Sequence, residues 1–131
     1  MDKLNLLEKA KEIRERAYVP YSKFPVGAAL LTKSGKLYLG CNIENAAYPV
    51  SLCAERVAIF KAISDGETEF EQLAVVADTD RPVSPCGSCR QVMSEFFDKK
   101  MEVHIGNLKN DLKTMTTEEL LPYSFGPNDL T

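Results

Sequence analysis

The feature that most limits what this chain can fold into is a divided set of reactive side chains: Cys53-Ala54-Glu55 and the run Pro85-Cys86-Gly87-Ser88-Cys89, whose first thiol follows Cys53 by 33 residues. Zinc in catalytic sites is held by three protein ligands and keeps its fourth position for water, whereas structural sites close all four positions with Cys or His. Cys53, Cys86 and Cys89 make three. Glu55 is placed to stand beside the open position without ligating, which is where a general acid/base belongs. Two stretches far apart in sequence must therefore meet at one point. The interval has room for a helix, a strand and a return loop, so the fold itself has to assemble the site.

The rest of the chain supplies such elements. Asp2 caps a predicted helix running to about Ala17, with Leu6, Ala10, Ile13 and Ala17 at helical spacing. Tyr18 to Pro25 reads as a loop, because Pro20 and Pro25 hold their preceding residues out of the helical region. Phe24, on that loop, is a candidate pocket wall. Val26 to Leu31 and Leu37 to Asn42 form an expected antiparallel pair around the turn Lys33-Ser34-Gly35-Lys36. The first of these strands is apolar or small on both faces, so helices must cover both. Asn42 to Val50 is irregular, and Asn42, Glu44 and Asn45 at a strand end are suited to hydrogen-bonding a polar ligand.

From Cys53 a helix is expected to about Asp65, stopped by Gly66. A buried strand follows over Phe70 to Ala77, then a polar loop, then a second helix with Ser84 as cap and Pro85 at its start, ending near Phe97. Glu102 to Ile105 is a short strand, Thr116 and Glu119 make a capping box for a last helix through Leu121, and Gly126-Pro127 marks a loose tail. Together these predict an α/β fold: a three-layer α/β/α sandwich around a mixed, roughly five-stranded sheet, in a single domain over residues 1–131.

The formal charge is −3 and the 16 Lys and Arg residues are scattered, which gives nucleic acid no basic stripe to bind. No apolar run approaches the length of a membrane span. Mixed charges after Met1 to Asn5, in place of an apolar signal core, predict a cytosolic (cytoplasmic) protein. Four cysteines in that setting point to metal or catalysis before disulfides. A short chain without long insertions has little material to grip a polymer, so a small-molecule substrate is expected.

Cys53 and Cys86 each open a predicted helix, where the positive dipole end and free amides favour thiolate. Cys86 and Cys89, at i and i+3, share a helix face and can chelate one ion. Three thiolates on zinc leave a net −1 that weakens its pull on water. Arg56, at i+3 from Cys53, and Arg90, at i+4 from Cys86, are the candidate donors that draw charge back from a ligand sulfur, Arg56 being preferred.

With those residues laid out, the chain resembles the small, homotetrameric cytidine deaminases almost end to end. The resemblance rests on Val19-Pro20-Tyr21-Ser22-Lys23-Phe24 with Val26-Gly27-Ala28-Ala29, on Gly40 to Tyr48, on Cys53-Ala54-Glu55-Arg56, on Ser84 to Gln91, and on Leu120-Leu121-Pro122 leading to Phe125-Gly126-Pro127. It implies zinc-dependent hydrolysis of cytidine and 2′-deoxycytidine to uridine and 2′-deoxyuridine with release of ammonia, as in pyrimidine salvage. It implies one Zn²⁺ per subunit on Cys53, Cys86 and Cys89, with water attacking C4 and Glu55 shuttling the proton. It also implies that Asn42 and Glu44 hold the ribose 3′-hydroxyl, that the Ala54 backbone meets the pyrimidine, and that Phe24 packs on the base. Phe125 would reach a neighbouring subunit's pocket, and Ala46 and Tyr48 would lie across an interface near the 5′-hydroxyl. Arg56 and Gln91 are then the competing donors behind the ligands. Two alternatives stand beside this reading: a blasticidin S deaminase type of aminohydrolase, and a structural zinc module in which Cys41 or His104 supplies a fourth ligand.

Overall fold

The computed structural model describes residues 1–131. Five strands, β1 (Val26–Thr32), β2 (Leu37–Cys41), β3 (Phe70–Ala77), β4 (Glu102–Asn107) and β5 (Leu112–Thr116), form one sheet in the order β2-β1-β3-β4-β5. β1 is antiparallel to β2 and to β3, β3 is parallel to β4, and β5 returns antiparallel to β4. The sheet is therefore mixed, as expected. Four helices accompany it: α1 (Lys3–Arg14), α2 (Ala54–Ser64), α3 (Gly87–Phe96) and α4 (Thr117–Leu120).

Alternation along the inner strands explains the layers. Ala29 and Leu31 of β1, with Ala74 and Val76 of β3, face Leu6, Leu7 and Ala10 of α1. Ala28 and Leu30, with Leu73, Val75 and Ala77, face Ala54, Ala58, Ile59 and Ala62 of α2 and Cys89 and Met93 of α3. Each strand thus buries both faces, as continuous apolar patterning requires. Small residues let α2 lie close: a Cβ on Gly40 would sit 2.5 Å from the Ala54 carbonyl oxygen and from the Ala58 nitrogen.

Several boundaries differ from expectation. α1 ends at Arg14, not near Ala17, because the N–H groups of Glu15, Arg16 and Ala17 tighten onto carbonyls three residues back. The chain then leaves to pair Tyr18 with Ile43. Ser84 is not the cap of α3: Cys86 is, in extended conformation, and the Ser84 hydroxyl accepts from Arg90 instead. β2 stops one residue short, at Cys41, and β4 runs on to Asn107. The tail is not loose throughout, since Pro127–Leu130 makes a 3-10 turn in which Asp129 accepts from the Gly126 N–H. β5 had no counterpart among the strands placed from the sequence. Gly66, with φ +91°, does end the segment after α2, and the capping box of Thr116 and Glu119 does open α4.

Candidate metal centre

Two helix starts face each other on the α2/α3 side of the sheet. Cys53 caps α2 and Cys86 caps α3, each extended, with ψ of 155° and 165°. Neither side chain caps the amides of its own helix, so both thiols are free to turn outward from the helix ends. Cys89 lies one turn into α3 and is fully buried. The three sulfurs lie within 4.8 Å of one another, and Cys53 Sγ is 3.7 Å from Cys86 Sγ.

That spacing can be checked against a metal. Zinc–sulfur bonds of about 2.3 Å in a tetrahedron place sulfurs about 3.8 Å apart. The observed pair matches, and thiolates are the soft donors zinc accepts. The residues present fit zinc. Neither proposed fourth ligand joins them: His104 is buried on β4 with one ring nitrogen on Thr114 Oγ1 and the other on Gln72 Oε1, each at 2.8 Å, and Cys41 is buried at the end of β2. The closed four-ligand alternative is thereby removed.

Charge at the cluster is uneven. A hydrogen bond from the Cys89 thiol, with further help from Arg56, pulls Cys53 down to about 5, and the same partnership together with burial pushes Cys89 up. Of these two, Cys53 is the one held as thiolate. Arg56 donates to Cys53 Sγ at 3.3 Å, the interaction expected of it, while its Nε is buried without an acceptor. Arg90, the other expected donor to sulfur, spends its guanidinium on oxygen: Pro85 O at 2.8 Å, Leu120 O at 2.7 Å and Ser84 Oγ at 2.6 Å. Gln91 likewise makes no bond to a thiol; its amide donates to the Phe125 carbonyl at 2.9 Å.

Glu55 is 4% exposed, in the first turn of α2. Burial, seconded by the charge of Cys53, pushes its carboxyl up to about 7 against the contrary pull of its own backbone N–H, the Cys89 thiol and Arg56. A carboxyl in that range exchanges protons near neutral pH, as an acid/base group must. Ala54, just before it, is buried under β2.

The other expected site residues fall into two groups. Asn42 joins loop to strand, its Oδ1 accepting from Val26 N at 2.9 Å and its Nδ2 donating to Phe24 O at 2.8 Å. Glu44 accepts from Tyr21 N (3.0 Å), Ser22 N (3.1 Å) and the Ser22 hydroxyl, which holds its carboxyl below the usual range. A cleft of about 380 Å³ opens among Tyr21, Ser22, Glu44, Tyr48 and Ser51, with the Tyr21 and Tyr48 rings edge to face at 5.9 Å. Phe24, Ala46, Tyr48 and Phe125, in contrast, are all exposed on this chain. Sequence reasoning missed Tyr21 and Ser22 as the residues that seat Glu44. The prolines around them mark a loop, but nothing in its residues says which carboxylate the two amides meet.

A three-layer α/β/α sandwich whose paired helix starts bring three thiols to one buried carboxyl defines a protein class: an α/β protein with an all-cysteine zinc-type centre. Residues 1–105 match the family model described as the cytidine and deoxycytidylate deaminase zinc-binding region. The chain belongs to the cytidine and deoxycytidylate deaminase family, and it is an enzyme. It is 57% identical to a cytidine deaminase of Sporosarcina psychrophila, over 100% of this chain and 96% of that protein. It is 52% identical to a cytidine deaminase of Halalkalibacterium halodurans, over 99% and 98%. The crystal structure of a cytidine deaminase from Burkholderia pseudomallei superposes with a TM-score of 0.93 at 47% identity, covering 95% of this chain and 100% of that one.

Proposed function

We propose that the protein hydrolyses cytidine and 2′-deoxycytidine to uridine and 2′-deoxyuridine, releasing ammonia, with one zinc per subunit on Cys53, Cys86 and Cys89. The observation that carries this reading is the raised, buried carboxyl of Glu55 beside three converging thiols. When bound there, zinc supplies the Lewis acidity that makes water nucleophilic near neutral pH. Glu55 takes the proton from the attacking water, gives it to the pyrimidine N3, and serves the departing amine at C4 in the same way. Arg56 withdraws charge from Cys53 Sγ and so limits how far three thiolates blunt the metal.

Asn42 and Glu44 receive the sugar. Glu44, kept ionised, is an acceptor only, which suits a hydroxyl donor such as the ribose 3′-OH. Phe24 covers the base and the Ala54 backbone meets its polar edge. The exposure of Phe24, Ala46, Tyr48 and Phe125 supports a homotetramer in which Phe125 enters a neighbour's pocket and Ala46 and Tyr48 lie near the 5′-hydroxyl across an interface. No helix is long and apolar enough to cross a membrane, and a centre of reduced thiols suits the cytosol and pyrimidine salvage.

Glu55→Gln is the decisive variant. It should hold zinc at wild-type stoichiometry while turnover on cytidine falls by at least about 10²-fold, the low end for a lost general acid/base. Ammonia release at near wild-type rate would reject the mechanism. Assays on cytidine, deoxycytidine, cytosine, dCMP and blasticidin S test the substrate, and activity confined to blasticidin S would reject the nucleoside assignment.

A further inference from the structure

The three thiols are held in place by unequal means. Leu52, before Cys53, exchanges two backbone hydrogen bonds with Ile43 (3.0 and 2.9 Å), and the Cys53 carbonyl accepts from Val57 N at 3.1 Å. Cys89 is locked within α3. Cys86 has no such support on its N-terminal side. Ser84 and Pro85 lie outside regular structure and make no backbone–backbone hydrogen bond. Pro85 has no N–H to offer. The nearest main-chain anchors are the Val83 N–H, which donates to Gly106 O at 3.3 Å, and the Cys86 carbonyl, which accepts from Arg90 N at 3.0 Å. What grips the intervening stretch is the Arg90 side chain, through Pro85 O and Ser84 Oγ, while its third prong reaches Leu120 O at the end of α4.

We propose that Arg90 is the positioning residue of the metal centre: its guanidinium clamps the main chain entering Cys86 and so sets where that thiol stands relative to Cys53 and Cys89. The inference rests on the metal-centre reading and adds a residue to it. Arg90 bonds to none of the sulfurs, so it acts through the backbone and not on ligand charge, unlike Arg56. Arginine suits the task because its planar fork presents several donors in fixed directions and stays charged. The prong on Leu120 ties the clamp to α4, so the ligand loop is braced against a separate element. A lysine has one flexible nitrogen and cannot span acceptors on both. Without the clamp, Cys86 must be ordered afresh each time the ion binds.

The test uses zinc-loaded, full-length protein in a thiol-free chelator, with Arg90→Lys and Arg90→Gln compared against wild type. Zinc release should speed up by about 10- to 100-fold, the usual cost of removing support behind a metal ligand. After cobalt replaces zinc, the thiolate-to-cobalt absorption of both variants should fall toward that of Cys86→Ser, because Cys86 is the ligand set adrift. Release within about twofold of wild type, less than one hydrogen bond is ordinarily worth, overturns the proposal. Faster release with an unchanged cobalt spectrum overturns it too, since that is general loosening. If the Arg90 variants do not fold, Ser84→Ala removes a single prong and should speed release by about threefold, the scale of one hydrogen bond; an unaltered rate in that variant overturns the proposal. Neither readout involves substrate, so failure here leaves the reaction assignment standing, and inactivity on cytidine leaves the clamp standing.

Discussion

Glu55 shows what burial does to a side chain that would otherwise be an ordinary first-turn glutamate. Its carboxyl moves from 4.5 to about 7 as burial penalises the charged form. The folded chain therefore holds that proton more tightly than the unfolded chain, and stability falls as pH rises through the window between those values. In protein freed of metal by chelator and kept reduced, Glu55→Gln should remove this cost. Relative to wild type the variant gains up to about 3 kcal/mol at pH 8, and the gain vanishes toward pH 4.5. Urea unfolding of both proteins at the two ends of the range measures it. A difference that does not vary with pH would mean the carboxyl is not desolvated. At this scale the thiols and Glu55 were legible because their spacing carries the chemistry. Ser22 and the clamping role of Arg90 were not, since a serine on a loop and an arginine on a helix are common in any surface and acquire their roles only from their partners in the fold, Glu44 for the one and Pro85, Ser84 and Leu120 for the other.

Elements position the ligands through close backbone contact. Gly40 on β2 lies against the start of α2, where an added Cβ would meet backbone atoms at 2.5 Å. Gly40→Ala should push α2 outward, costing about 1–3 kcal/mol as overpacking does, and should weaken zinc retention because Cys53 moves with the helix. Gly87, the first residue of α3, has open space around its Cβ position. Gly87→Ala should leave thermal stability unchanged or raise it by up to about 1 kcal/mol, the helix preference of alanine. Melting curves with and without zinc separate the two cases. The helices at the site and the β1–β2 hairpin were readable from periodicity and turn residues. β5 was not: Leu112-Lys113-Thr114-Met115-Thr116 is short and mixed, and its turn depends on the buried Asn107 side chain and on Asn110 at φ +68°, neither of which marks itself in sequence. The end of α1 was misplaced for a tertiary reason, the pairing of Tyr18 with Ile43.

Over the whole molecule, aromatic exposure is concentrated on the loop after α1, the segment before α2 and the C-terminal tail. Tyr48 and Phe125 retain 70% and 58% of their surface. Such rings in contact with water are the surface an assembly would cover. Sedimentation should find a tetramer at assay concentrations, and an active monomer would contradict a shared site. Ending the chain at Ser124 should raise KM for cytidine severalfold while zinc content stays near one per chain.

The arrangement of the ligands also orders events in the life of a newly made chain. Cys53 leaves the ribosome well before Cys86, and the three thiols come together only once α2 and α3 lie on the same side of the sheet. A site of this kind is complete only in the folded chain. A metal ion held by all three would therefore report that both helices have docked on the sheet.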